Sequence, residues 1–248
     1  MTRKKLLCVF GLNQTFHWFI IGLIIPVIAL LQLEKGLDLF QIGIVGAVWG
    51  GTIMLLELPT GGLADAIGRK RVYLISLGIL FCAGLVLLIA WNFVTVAFGF
   101  CLMAVARALS SGSMDAWFVD EFNKIEPEGN LQAALAKVGV FISAGLGVGS
   151  FVGGLLPISF GKITSQVPGL GIYSANLITI NILIVVQFLL TFILVREHLH
   201  PDRSSSIWSG FKQFPEVVST SVQYGIKNHV ILILLLSSVA WGIGVMGL

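Results

Sequence analysis

Seven long apolar runs, parted by short polar stretches, make up most of the chain: 6–33, 41–60, 72–91, 93–114, 133–156, 172–195 and 229–248. Each meets the requirement of about 20 mostly apolar residues for a helix that crosses the hydrocarbon core. The runs are continuous rather than alternating, which argues against the ten-residue strands of a membrane barrel. Helices and closed barrels are the backbones that satisfy their own polar groups in lipid, so the pattern predicts an all-α integral membrane protein. Six spans come in close succession, and then the pattern changes. Residues 196–228 are polar and carry Pro201, Ser204, Ser205, Ser206 and Pro215. Within them Ile207, Phe211, Phe214, Val218 and Val222 recur every three or four positions. That spacing predicts an amphipathic helix on the membrane surface, broken in two at Pro215. The last run predicts a seventh span that stops at Leu248 without a flanking loop. The expected organisation is a six-helix N-terminal bundle over 1–195, a cytoplasmic central loop over 196–228, and over 229–248 the first helix of a C-terminal bundle cut short.

Composition strengthens this picture. The chain is 56% hydrophobic and 11% charged, with mean hydropathy +0.97, against about 25% charged residues in soluble domains. Lipid must cover what polar residues cannot. The net charge of +3 matters less than its placement: twelve Lys and Arg fall on one side of the predicted spans, and only Lys35 and Lys162 on the other. This bias puts the N-terminus in the cytoplasm of a multi-pass protein of the inner or plasma membrane. The opening Arg3-Lys4-Lys5 resembles a signal peptide, but the run after it is too long and lacks an A-x-A-like site, so it reads as an uncleaved first span. Cys8, Cys82 and Cys101 all lie in spans and read as small packing residues rather than a disulfide framework.

Candidate chemistry sits where polarity interrupts the spans. Residues 61–71 read G-G-L-A-D-A-I-G-R-K-R and predict a tight cytoplasmic hairpin between spans 2 and 3. Asp65 ends one helix, while Arg69, Lys70 and Arg71 open the next. Both placements oppose the helix dipoles, so another force must hold them; Arg69 can pair with Asp65 across the turn. Gly61, Gly62 and Gly68 permit close approach and positive φ. The plainer reading makes the cluster an anchor for the inner face. A charge inside a span costs about 2.5–3.5 kcal/mol and is functional by default. Arg107 lies at mid-depth in span 4, Glu57 about one turn from the cytoplasmic end of span 2, and Asp115 at a similar depth in span 4. These three are the proton-coupling candidates, the alternative for the carboxylates being pairing with Arg69, Lys70 or Lys137. Asp120 and Glu121 lie past the core and can pair with the hairpin bases. Asn13 and His17 share a helical face at about the depth of Arg107. With Arg107 they are the substrate-cavity candidates, the alternative for His17 being a hydrogen bond inside the bundle. In span 5, Gly145, Gly149 and Gly153, with Gly154 beside them, form a small-residue stripe that permits close helix packing. No phosphate loop, metal-ligand cluster or nucleophile triad is present, so no enzyme activity, cofactor, metal or nucleic-acid partner is expected. Spans 1–3 and 4–6 carry modest signs of an inverted repeat: polar midsections in spans 1 and 4, and Pro59 and Pro157 near the far ends of spans 2 and 5.

The hairpin resembles the loop 2–3 signature of the major facilitator superfamily, matched at Gly61, Asp65, Gly68, Arg69, Lys70 and Arg71. It departs at Ala66, where a basic residue is usual. Arg107 with Gly112 after it is similar to that family's fourth-helix motif, linked to proton coupling. Gly145-x3-Gly149-Ser150-x2-Gly153-Gly154 resembles the fifth-helix motif of drug/proton exchangers, with Ser150 in place of a proline and Ala136 in place of an earlier glycine. The resemblance implies two six-helix bundles around a central cavity, alternating access, and Asp65 latching the cytoplasmic side against the second bundle. It implies proton-coupled export of a small, drug-like molecule, with lipid, substrate, protons and the missing C-terminal bundle as partners. Without that bundle the chain is not expected to transport. An uptake permease of the same fold is the alternative. A seven-helix receptor or sensor fits less well, because its N-terminus would lie outside.

Overall fold

The computed structural model describes residues 2–127 and 129–197, apart from the side chains at 58, 59, 61, 62, 65 and 66. Among the described residues there is only helix and turn: α1 (Arg3–Gly22), a short 3-10 turn (Ile25–Val27), α2 (Ile28–Glu34), α3 (Leu39–Ile67), α4 (Arg69–Ile89), α5 (Phe93–Ser111), α6 (Ser113–Ile125), α7 (Leu131–Thr164) and α8 (Ser174–Leu194). They form six segments long and apolar enough to cross a membrane, α1 running on into α2 and α5 into α6. The surface helix and seventh span expected beyond residue 197 lie outside the described residues.

Local chemistry starts the helices. Asp38 accepts from the Gln41 amide at 2.8 Å while the Gln41 side chain accepts from the Asp38 amide, a reciprocal cap on α3. Asn92 and Thr95 cap α5 in the same way. Two spans are broken, which their apolar runs did not reveal. The first breaks after Gly22, where Pro26 cannot donate to a helical ladder. There Asn176 of α8 donates to the Leu23 and Gly153 carbonyls, both at 2.8 Å. The fourth bends at Gly112. Ser110, Ser111 and Ser113 there bond the carbonyls of Arg107, Ala108 and Ser110, and such back-bonding hydroxyls bend helices.

The span 5 glycines decide how closely the first and fifth spans pack. A Cβ at Gly145, Gly149 or Gly153 would collide with the backbone carbonyl of Thr15, Phe19 or Leu23, and one at Gly22 with that of Leu146. Gly154 faces open space and takes no part. The α1–α7 pairing has its counterpart in α5 against α3, and α4 packs on α8. The leading span of each three-helix unit is the broken one, in keeping with an inverted repeat. Apolar side chains fill the interior: Phe10 stacks on Phe118 at 4.2 Å, with Leu6, Tyr73, Trp117 and Phe122 fully buried. Phe98, Phe141, Phe151, Phe192 and Ile193 are exposed on the outside, a surface that suits acyl chains.

The hairpin between spans 2 and 3 is tighter than its sequence indicates. Helix α3 runs through Gly61, Gly62 and Asp65 to Ile67, so the turn contracts to Gly68 at φ 104°. Of the three glycines expected to adopt positive φ, only Gly68 does so. The longer helix also places Glu57 farther from the helix end than its sequence indicates. It lies ten residues from the end of α3 rather than one turn, or about 15 Å at 1.5 Å per residue. Asp115 is likewise ten residues from the end of α6.

Candidate functional site

One face of the bundle, built from α1, α3 and the α5–α6 bend, carries polar groups at membrane depth. Gln14 on α1 donates its amide to Asp115 Oδ1 at 3.2 Å. The Arg107 guanidinium lies over the Trp18 ring at 5.6 Å from its centroid, a cation–π contact that is stronger away from water. Arg107 is also close enough to act electrostatically on both His17 and Asp115. Asp115 is exposed and Arg107 half-buried. A carboxylate so placed would be costly against acyl chains, so this face turns toward water or another part of the protein. Glu57, also exposed, opens onto a separate cleft of about 140 Å3 lined by Thr60, Ala64, Ala108, Leu109 and the bend residues 111–113.

Asn13 and His17, expected in the cavity wall, point inward instead. His17 Nδ1 is 3.1 Å from the Tyr73 hydroxyl. Gln187 of α8 donates to that hydroxyl and to the Asn13 carbonyl, each at 3.1 Å. Asn13 Nδ2 donates to Thr191 Oγ1 at 2.7 Å. All five side chains are buried, and the cluster ties α1, α4 and α8 together. The reason is rotational: the glycine contact with α7 fixes how α1 is turned, leaving Gln14 and Trp18 on the Arg107–Asp115 side and Asn13 and His17 one residue round. Gln14 and Trp18, polar and aromatic groups of the same helix, were not among the expected cavity residues. Their signal was adjacency to the polar positions already singled out.

At the N-terminal end of the bundle, an unforeseen carboxylate resolves the dipole conflict. Glu197, just beyond α8, accepts from the backbone amides of Arg69 and Lys70 at 2.8 and 3.0 Å. It sits at the start of α4, where negative charge is favoured. Arg69 pairs with Asp120 at 3.2 Å, as expected for the hairpin bases. Glu121 pairs with Lys124 at 2.8 Å instead. Lys70 bonds the Phe192 carbonyl at 2.8 Å and lies over the Phe192 ring, while the Arg71 side is exposed. The proposed Arg69–Asp65 contact depends on a side chain outside the described residues. At the opposite end, Glu34 accepts from the Ile172 amide at 2.7 Å and from Tyr173 at 3.3 Å, at the start of α8. Next to it Lys35 bonds the Leu88 carbonyl at 3.0 Å and lies over Trp91. Burial pushes the Lys35 amine below the usual lysine range, with Glu34 partly opposing it. Among the described residues no group of three or more His, Cys, Asp or Glu is placed to hold a metal.

Comparison with known proteins agrees with this architecture. The family model described as Major Facilitator Superfamily matches residues 10–248. An uncharacterized MFS-type transporter of Methanocaldococcus jannaschii is 25% identical over 141 residues, which is 57% of this chain and 36% of that protein. The match therefore spans about a third of that relative's length. A family model covering nearly the whole chain, on six membrane-length helices with a one-residue hairpin between the second and third spans, makes this a member of the Major Facilitator Superfamily.

Proposed function

We propose that this protein is a secondary transporter that exports a small, amphipathic, drug-like molecule in exchange for protons by alternating access. Its N-terminus lies in the cytoplasm of the cell membrane. Family membership supports the transporter class over a seven-helix receptor. The observation that carries the mechanism is the linked set Gln14–Asp115 and Arg107–Trp18 on one half-open face at membrane depth. In this reading Asp115 carries the proton. Gln14 holds the carboxylate in place, and Arg107 lies over Trp18 on the same side. Trp18 offers an apolar face to a planar substrate, and Asn13 and His17 brace the wall from behind. Glu57 is the second carboxylate of the coupling set. Gly61, Asp65, Gly68, Arg69, Lys70 and Arg71 form the cytoplasmic gate, which a second six-helix bundle would close. The glycine pattern on α7 supports export, and Ser150 in place of the exchangers' proline keeps an uptake permease as the second reading. Ethidium efflux from cells expressing this chain together with a second six-helix bundle tests both. Efflux is expected to collapse with an uncoupler and in Asp115→Asn, and to weaken in Arg107→Lys. Efflux that continues unchanged without a proton gradient refutes the coupling. Ethidium accumulation driven by expression favours uptake.

A further inference from the structure

Arg107 and Asp115 carry opposite charges on one face of the bundle and do not neutralise each other. Charged side chains inside spans pair with one another or mark a substrate path. Among the described residues these two form no ion pair, and the Arg107 guanidinium donates no hydrogen bond; its contact is with the Trp18 ring. Asp115 accepts one bond, from Gln14 to Oδ1, and Oδ2 accepts none. Each charge is held in its own place. Asp115 lies in the first turn of α6, where the helix dipole favours a carboxylate. The cation–π contact retains Arg107 on α5, across the bend at Gly112.

Helix α1 sets their separation. Gln14 meets Asp115 and Trp18 meets Arg107. These two anchors are four residues apart on one helix, or about 6 Å at 1.5 Å per residue. A free acceptor and a free fork of N–H donors, one helical turn apart, match a ligand that carries both charges. Its ammonium donates to Asp115 Oδ2, and its carboxylate takes two parallel bonds from the guanidinium. With hydrogen bonds of about 2.8 Å at each end, only a few ligand atoms fit between. That selects a compact zwitterion, with ammonium and carboxylate on one carbon, over a longer one. The rest of the face is apolar. Beyond Trp18, Ile21 of α1 and Met103 of α5 border a small cleft with Leu80, Gly84, Leu87 and Ile180, which suits an apolar side chain. A ligand with one charge leaves the other residue unmatched; ethidium, a planar cation, would use the Asp115 half alone.

We propose that this face binds a zwitterion of the aromatic α-amino acid class, Asp115 taking the ammonium, Arg107 the carboxylate and the wall of Trp18, Ile21 and Met103 the side chain. That such a zwitterion is the cargo rests on the export reading; the binding itself does not. The test is equilibrium dialysis of the purified protein in lipid nanodiscs, without a gradient and with empty nanodiscs subtracted. Three ligands share one indole ring: tryptophan, tryptamine and indole-3-propionate. Tryptophan is expected to bind saturably, and the other two about tenfold or more weakly, since each forgoes one charge-assisted bond. The variants should cross over. Asp115→Asn is expected to weaken tryptophan and tryptamine about tenfold and to spare indole-3-propionate. Arg107→Gln is expected to weaken tryptophan and indole-3-propionate to a similar extent and to spare tryptamine. Each variant keeps one ligand, so loss of a single charge is told apart from loss of the fold. No saturable tryptophan binding, tryptamine binding as tightly as tryptophan, or equal weakening of all three ligands in both variants would each overturn the proposal. The crossed pattern together with ethidium efflux that persists without a proton gradient would refute coupled export and leave the site standing. Coupled efflux without the crossed pattern would do the reverse.

Discussion

The close packing of the first and fifth spans gives a sharp test, because α7 carries its own controls. A Cβ at Gly145 would stand 2.5 Å from the Thr15 carbonyl oxygen, whereas ordinary contact begins at about 3.4 Å. The obstacle is backbone of a helix that is itself held by the Asn176 and Gln187 bonds, so no side chain can swing aside. Gly149 and Gly153 meet Phe19 and Leu23 in the same way. Forcing a methyl into a packed contact costs about 1–3 kcal/mol. Exchanging glycine for alanine in an open helix position gains up to about 1 kcal/mol through propensity. Gly147 and Gly154 lie on the same helix with nothing within 4 Å. Gly149→Ala should therefore lower the apparent melting temperature in detergent, while Gly147→Ala leaves it unchanged or raises it. Their difference should fall at about 1–3 kcal/mol when read by denaturant titration, because the propensity gain is common to both and cancels. A double variant of Gly145 and Gly149 should lose more than either alone. If Gly149→Ala and Gly147→Ala behave alike, the close approach of α1 and α7 is not what holds this part of the bundle.

Other predictions concern the two ends. Glu197→Gln keeps the shape but weakens the cap on α4. It should cost about 0.5–2 kcal/mol and speed proteolysis at the 67–69 hairpin; unchanged cleavage would count against the cap. At the opposite end, the lowered Lys35 pKa means that the unfolded chain binds more protons than the folded one, over the window between the lowered value and the ordinary lysine value. Stability should thus rise with pH across that alkaline window, and Lys35→Met should flatten the rise. An unaltered slope in the variant would show that Lys35 is not its source.

Much of the architecture follows from the chain alone. Six spans, the hairpin after the second, and the pairing of its bases with Asp120 were legible because lipid imposes a local rule. Every peptide group in the core must be bonded within its own helix, so apolar length alone reports a span. Gly68 was legible for the same reason, since a turn between two helices needs a residue that tolerates positive φ. The breaks at Pro26 and Gly112 were harder to see, because both lie within unbroken apolar runs and their freed carbonyls are satisfied by Asn176 and by serine hydroxyls.

What hydropathy could not supply was rotation. Whether Asn13 or Gln14 meets Asp115 depends on turning α1 by one residue, about 100° at 3.6 residues per turn. That turn is set by glycines more than a hundred residues away, where α7 meets the Thr15, Phe19 and Leu23 carbonyls. The cap on α4 likewise comes from Glu197, 128 residues from Arg69 in sequence. The sequence by itself determined which segments enter the membrane and where polar chemistry is concentrated, since burial in lipid is decided residue by residue. Only the tertiary structure decided which polar groups meet, because in a bundle of near-parallel helices that depends on the rotation and spacing of each against its neighbours.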